Sequence, residues 1–120
     1  MNKNTLVLGA SENSAKYSYL AVERLVAKNY SVTAIGRKAG KIGNINIITN
    51  QIEIADLDTV TVYLNAENQK QYYNYILSLN PKRIIFNPGA ENDELETIAK
   101  AKGIEVLNAC TLVLLSVGKY

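Results

Sequence analysis

The 120-residue chain contains no histidine and only one cysteine. Without histidine, the chain has no imidazole base, no serine–histidine–aspartate triad and no histidine-ligated zinc site. The single cysteine, Cys110, excludes both an intrachain disulfide and a multi-cysteine metal cluster. With these residues absent, we recognise no self-contained catalytic site in the sequence. The scarcity of cysteine favours the reducing cytoplasm as the location of the protein.

The chain also lacks a strong charge of either sign and a long apolar segment. Thirteen basic and eleven acidic residues give a net charge of +2, which is too small to indicate a nucleic-acid partner. The first apolar run, residues 5–8, is too short for a signal peptide or a membrane span. The composition is 48% hydrophobic and 20% charged, which is typical of a globular chain. We therefore expect one domain over residues 1–120 that binds neither nucleic acid nor membranes.

Short apolar runs alternate with amphipathic segments along the whole chain. Strands are predicted at residues 5–8, 31–35, 45–48, 59–64, 83–86 and 104–107, and helices at residues 15–28, 68–79, 92–102 and 111–117. Strands that alternate with helices favour right-handed crossovers and a parallel sheet covered on both faces. We predict an α/β, Rossmann-like, three-layer α/β/α fold whose five- to six-stranded parallel sheet has the order 3-2-1-4-5-6.

The segments that follow the predicted strands are rich in glycine, asparagine, serine and proline. In an open parallel sheet, ligands bind beyond the carboxyl ends of the strands, near the switch in strand order. This rule selects the loops at residues 9–14, 36–38, 64–65, 87–89 and 108–110. Their small residues allow a close approach of the backbone to a ligand and offer hydrogen-bonding groups.

The first of these loops leads into a helix, so its N–H groups and the helix dipole favour an anion. Gly9 permits a tight turn, and Ser11 and Ser18 carry hydroxyls that can donate to a phosphate. The strict G-x-G-x-x-G fingerprint is absent, since only its first glycine is present. The alternative is a simple turn from strand to helix.

Acidic residues are absent between Glu23 and Glu53, whereas this interval contains five basic residues. Arg37 and Lys38 lie just past the second predicted strand, where an NAD-binding domain usually presents an acidic group. Cations at this position suit an additional phosphate on the adenosine, as in NADP or coenzyme A. The alternative is a solvated basic loop.

Six segments, at residues 6–11, 16–18, 35–37, 59–64, 81–89 and 103–110, resemble a known family in sequence and in order. The chain is similar to the small single-domain CoA-binding proteins, which are relatives of the CoA-binding domain of the succinyl-CoA synthetase alpha subunit. The resemblance implies binding of coenzyme A or an acyl-CoA. It does not imply acyl-CoA synthesis, because the synthetase's phosphohistidine has no counterpart here.

The resemblance also implies a set of binding residues. At the segment after the second strand, relatives often have Asn-Pro where this chain has Gly36-Arg37, a departure that adds charge. Together with the charge argument for Lys38, the expected contacts are Gly9, Ala10 and Ser11 for the phosphates, Lys16 and Ser18 on the first helix, Gly36, Arg37 and Lys38 after the second strand, Leu64, Asn65, Pro88 and Gly89 for the nucleotide and pantetheine, and Asn108 and Cys110 after the last strand.

Three alternatives remain open at this stage. Cys110 is either a small structural residue or a group near the CoA thiol that forms a mixed disulfide on oxidation. The tyrosines of residues 72–75 either pack in the core or form a surface for a homodimer. The whole domain can also be read as an NAD(P)-binding regulatory or sensor module, or as a ligand-free protein-interaction domain.

Overall fold

The computed structural model of the chain describes residues 3–120, and a seven-stranded sheet runs through its centre. The strands are β1 (Thr5–Leu8), β2 (Val32–Ile35), β3 (Gly40–Ile42), β4 (Ile45–Ile48), β5 (Thr59–Val62), β6 (Arg83–Phe86) and β7 (Glu105–Asn108). The helices are α1 (Tyr17–Ala27), α2 (Ala66–Gln69), α3 (Tyr73–Leu79), α4 (Asp93–Ala101) and α5 (Thr111–Ser116), with a 3₁₀ turn at Lys70–Tyr72 between α2 and α3.

The strands follow the order β3-β4-β2-β1-β5-β6-β7, and every neighbouring pair except β3–β4 is parallel. The prediction of a Rossmann-like α/β fold is confirmed, and the six predicted strands lie in the predicted order. From β1 the chain first builds β2, β3 and β4 on one side, and it then crosses over to build β5, β6 and β7 on the other side of β1. This switch in strand order places a crevice at the carboxyl end of β1.

Alternation along β1 explains the three layers. Leu6 and Leu8 pack into one core with the apolar sides of α3 and α4, whereas Val7 packs into the other core with α1 and α5. All three side chains are fully buried, as expected for a central parallel strand that is covered on both faces. Among residues 3–120, no helix is long and apolar enough to cross a membrane.

The segment at residues 37–44, predicted as a loop, contains the seventh strand. Gly40 pairs with Ile47 and Ile42 with Ile45 in an antiparallel hairpin. Its two-residue connection is Gly43-Asn44, in which Gly43 has a φ of 58°. A Gly-Asn pair between two short apolar runs is a recognised hairpin signal. The six parallel strands agree with the predicted five to six, and the antiparallel edge strand β3 is an addition that was not predicted.

The helix predicted at residues 68–79 is divided in two and begins earlier. The side chain of Asn65 accepts a hydrogen bond from the N–H of Asn68 and caps α2, so the helix begins at Ala66. Asn92 caps α4, because its side chain accepts a hydrogen bond from the N–H of Leu95.

Candidate functional site

A cleft of about 690 Å³ opens at the carboxyl edge of the sheet, between the loops that follow β1, β2, β5 and β6. All but three of the residues predicted from the sequence line this cleft. Those present are Gly9, Ala10, Ser11, Lys16, Ser18, Arg37, Lys38, Leu64, Asn65, Pro88 and Gly89. The loops therefore come together where the strand-order rule expects a ligand.

The three predicted residues outside the lining are Gly36, Asn108 and Cys110. Asn108 is exposed at the end of β7, and its amide donates a long hydrogen bond of 3.4 Å to Glu96. Cys110 is half-buried and occupies the N-cap position of α5. The structure thus brings the glycine-rich loops and the basic segment to one cleft, but it does not bring the motif after the last strand there.

Gly36 acts on the cleft through the backbone. A Cβ atom at this position would stand 2.2 Å from the carbonyl oxygen of Ala10 and 3.0 Å from Ile47. The Ala10 loop is itself fixed there, because the N–H groups of Gly9 and Ala10 both donate to the carbonyl of Ile35, at 2.8 and 2.9 Å. Gly36 therefore allows the loops after β1 and β2 to touch, which sets the shape of the cleft floor.

The loop after β1 is ordered by its own side chains and leads to an uncapped helix. Ser11 Oγ accepts from the N–H of Asn13 at 3.1 Å, and Asn13 Oδ1 accepts from the N–H of Ala15 at 3.0 Å. Lys16, at the N-cap of α1, makes no side-chain capping hydrogen bond. The first turn of α1 thus keeps N–H groups that no side chain satisfies, and they favour an anion at this end.

Ser18 offers a hydroxyl to the cleft from the first turn of α1. The residue is only 4% exposed, yet it lines the cleft. Its hydroxyl makes no hydrogen bond among residues 3–120, and its oxygen is not one of the fully buried atoms without a partner, so it is accessible from the cleft. An accessible hydroxyl without a protein partner can donate to a bound ligand.

The charges that line the cleft are mostly positive. Lys16, Arg37 and Lys38 are exposed there, and none of them pairs with a carboxylate within 4.0 Å in the described part of the chain. Glu12 is the one acidic side chain in the lining. Glu12 is not one of the predicted binding residues, although it lies within the loop at residues 9–14 that the strand-order rule selects.

A buried amide fixes the opposite wall of the cleft. Gln69 is fully buried, and its Nε2 donates to the carbonyls of Leu64 at 2.8 Å and Ala90 at 2.7 Å. Its Oε1 accepts from Asn92 Nδ2 at 2.9 Å. One side chain thereby joins the loops after β5 and β6. Sequence reasoning could not find it, because a glutamine within a helix normally indicates an exposed position.

A polar network lies behind the cleft. Thr61 and Thr111 share a hydrogen bond of 2.8 Å, and Asn87 donates to Thr61 and accepts from the N–H of Thr111. Tyr63 lines the cleft beside this network. Its buried hydroxyl makes no hydrogen bond with residues 3–120. Burial raises the pKa of Tyr63 to about 12, and the neighbouring threonine hydroxyls oppose the shift.

This environment predicts how stability changes with pH when Tyr63 is replaced by phenylalanine. The unfolded phenol ionises near pH 10.0 and the folded one near 12, so the wild type loses stability across this window, by about 2–3 kcal/mol for this residue. Tyr63→Phe removes the loss, and at neutral pH it also removes a hydroxyl without a partner. Urea unfolding at pH 7, 10 and 11.5 measures the difference.

In that experiment, Tyr17→Phe is the matched control, because the Tyr17 side chain is 68% exposed. The advantage of Tyr63→Phe over the wild type should grow steadily above pH 10. Parallel stability curves for the two proteins would contradict the assignment of a buried, neutral phenol.

The described residues do not include a candidate metal centre. Among residues 3–120, no group of three or more histidine, cysteine, aspartate or glutamate side chains could hold an ion. The cleft itself contains cations, free N–H groups and hydroxyls, and these groups suit the phosphates of a nucleotide.

Comparisons with known proteins assign the chain to a family. A crystal structure of an uncharacterized protein is 49% identical, with a TM-score of 0.97 over 100% of this chain and 99% of that one. A Thermus thermophilus protein is 18% identical, with a TM-score of 0.83 over 99% of this chain and 91% of that one. A hypothetical protein from Pyrococcus horikoshii OT3 is also 18% identical, with a TM-score of 0.83 over 93% of this chain and 80% of that one.

Because the Thermus thermophilus and Pyrococcus horikoshii proteins are only 18% identical to this chain, their similarity shows the fold alone. No curated protein matches the chain. The CoA binding domain family matches residues 3–116, nearly the whole length, and this result agrees with the resemblance found in the sequence. The chain is a member of the CoA-binding domain family.

Proposed function

We propose that the carboxyl-edge cleft binds coenzyme A, free or acylated, and that the domain does not itself catalyse a reaction. Membership of the CoA-binding domain family supports the ligand class. The position of the cleft at the switch in strand order supports the location. Cytoplasmic localisation stays a prediction from the sequence.

The observation that carries this proposal is a set of unpaired cations and an unpartnered hydroxyl in one cleft. Lys16, Arg37 and Lys38 lack carboxylate partners within ion-pair distance in the described chain, and the Ser18 hydroxyl, which is accessible from the cleft, makes no hydrogen bond with residues 3–120. Unpaired cations beside free N–H groups are the usual features of a phosphate site.

The order of the lining loops gives the ligand a direction. The pyrophosphate lies against the Gly9–Ser11 loop and the start of α1, where the free N–H groups are. The 3′-phosphate of the adenosine meets Arg37 and Lys38. The pantetheine arm runs past Leu64 and Pro88, along the wall that Gln69 supports.

Removing both basic side chains after β2 tests this direction. The double variant Arg37→Ala/Lys38→Ala should bind CoA roughly 10–100 times more weakly, since charge-assisted hydrogen bonds to the 3′-phosphate are lost. Dephospho-CoA, which lacks that phosphate, should lose only a few-fold through the general change in charge. Titration calorimetry with the two ligands measures the ratio.

The matched control is Lys82→Ala/Lys102→Ala, which removes the same charge from two exposed positions outside the cleft. It should leave the ratio of CoA to dephospho-CoA affinity unchanged. Equal losses for the two ligands in the Arg37→Ala/Lys38→Ala protein would contradict the placement of the 3′-phosphate.

The alternatives from the sequence are separated by the same calorimetry. An NAD(P)-binding module would bind NADP or NAD more tightly than CoA. The interaction-domain alternative needed an exposed tyrosine face, but Tyr72 and Tyr75 are each 7% exposed, and Tyr73 is half-buried and hydrogen-bonded to Glu94. This burial favours the core-packing alternative for these tyrosines, and a homodimer through them stays a prediction from the sequence.

A further inference from the structure

Glu12 is held in a fixed position inside a cleft that otherwise favours anions. Its Oε2 accepts a hydrogen bond of 2.9 Å from the backbone N–H of Lys41 on β3. Its other carboxylate oxygen has no hydrogen-bond partner among residues 3–120, and the residue lines the cleft. A carboxylate beside a phosphate site weakens phosphate binding, so its presence calls for a compensating interaction with the ligand.

The edge strand β3 is shaped around this carboxylate. A Cβ atom at Gly40 would stand 2.3 Å from Glu12 Cδ and 2.7 Å from Oε2. Gly40 does not have a positive φ, so its backbone conformation is open to other residues. Because Gly40 has no side chain, it leaves room for the carboxylate of Glu12.

Glu12 lies at the adenosine end of the proposed ligand. Its partner on β3 is only a few residues beyond Arg37 and Lys38, whereas Leu64 and Pro88 line the other side of the cleft. An ionised carboxylate can only accept hydrogen bonds. The donors at this end of a 3′-phosphorylated adenosine are the ribose 2′-hydroxyl and the exocyclic amine of adenine.

We propose that Glu12 selects the adenosine moiety by accepting a hydrogen bond from one of these two donors. This inference rests on the proposed CoA function and adds a specificity residue to it. The usual acid that reads a ribose in dinucleotide-binding folds follows the second strand; here cations hold that place, and an acid from the loop after β1 supplies the acceptor.

The test uses adenosine 3′,5′-bisphosphate and two analogues, one without the 2′-hydroxyl and one without the exocyclic amine. In the wild type, one analogue should bind roughly tenfold or more weakly than the parent, as expected for a hydrogen bond to a charged group. In Glu12→Gln this penalty should disappear, so that the variant binds the parent and that analogue with about equal affinity. The analogue that carries the penalty identifies the donor.

Two further measurements separate recognition from simple charge or from a structural role. Inorganic pyrophosphate should bind Glu12→Gln as well as or better than the wild type, because a nearby negative charge is gone. Gly40→Ala keeps Glu12 but displaces its carboxylate, so it should lose the same discrimination. Thermal unfolding of both variants checks that they remain folded at the assay temperature.

Uniform tightening of every anion in Glu12→Gln, or wild-type affinities equal for the parent and both analogues, would overturn the role of Glu12 and leave the CoA proposal intact. A wild-type protein that binds neither CoA nor the bisphosphate would overturn both proposals.

Discussion

Replacing Gly36 by alanine should both destabilise the fold and disable the cleft. The added Cβ atom would stand 2.2 Å from the carbonyl oxygen of Ala10, far inside van der Waals contact. The neighbouring atom belongs to the backbone, and that backbone is held by two hydrogen bonds to Ile35. The clash is therefore relieved only if the loops after β1 and β2 separate.

We expect Gly36→Ala to lower the free energy of unfolding by about 3 kcal/mol. CoA affinity should fall roughly tenfold or more, because the loop that meets the pyrophosphate is displaced. Urea unfolding and titration calorimetry measure the two effects, the latter at a temperature where the variant is folded.

Gly43→Ala is the matched control for this substitution. Gly43 lies in the hairpin between β3 and β4, and an added Cβ atom would meet nothing within 4 Å. Its φ of 58° makes alanine unfavourable by about 1 kcal/mol, without an effect on CoA. If Gly36→Ala proved no more harmful than Gly43→Ala, the close approach of the two loops would not be what shapes the cleft.

The order of the sheet could be predicted from the sequence because its signals are local and repeated. Each strand is a short apolar run, and α4 has an asparagine cap, acidic residues in its first turn and Lys100 in its last. The right-handedness of the crossovers and the usual strand order of a doubly wound sheet then predict the topology. The edge strand β3 was missed because it is three residues long and contains Gly40, which weakens any strand pattern.

Much of the candidate site could also be predicted, because the strand-order rule identifies loops that are distant in the sequence but lie together at one edge of the sheet. The rule does not say, however, how far the end of each strand lies from the crevice. It selects Asn108 and Cys110 as readily as Leu64, but β7 is the outermost strand on its side of the sheet, and β5 and β6 lie between it and β1. Its carboxyl end therefore falls outside the cleft lining.

The residues that the sequence did not reveal depend on tertiary contacts. Gln69 is buried because two loop carbonyls and Asn92 satisfy its amide. Glu12 is fixed because a strand distant in sequence offers an N–H group and a glycine. Neither pairing leaves a pattern in the local sequence, since the partners are 5 to 29 residues away.

Replacing Tyr120 by alanine should give the largest loss of stability without a loss of binding. Tyr120 is 7% exposed at the amino edge of the sheet, opposite the cleft. Its hydroxyl shares a hydrogen bond of 2.6 Å with Thr5, and the Arg83 guanidinium lies 4.5 Å from its ring centroid. The ring of Tyr30 packs edge-on at 5.1 Å. The side chain thus joins β1, β6 and the segment after α1.

Tyr120→Ala should lower the free energy of unfolding by about 3–5 kcal/mol, as for other buried aromatic residues. Part of this loss comes from Arg83, which is 8% exposed and would lose its aromatic neighbour, although Thr59 and Asp58 still contact its Nε. Tyr120→Phe keeps the ring beside Arg83 and should cost only about 1 kcal/mol for the hydroxyl. Urea unfolding of the two variants measures the gradation.

CoA titration of the same two variants tests whether stability and binding belong to opposite edges of the sheet. Because the Thr5 and Arg83 contacts of Tyr120 lie at the amino ends of β1 and β6, the folded fraction of each variant should bind CoA with wild-type affinity. A loss of affinity in Tyr120→Phe would mean that the amino edge is coupled to the cleft through the central strands. A loss of stability under 1 kcal/mol in Tyr120→Ala would instead show that the contacts around Tyr120 add little to the fold.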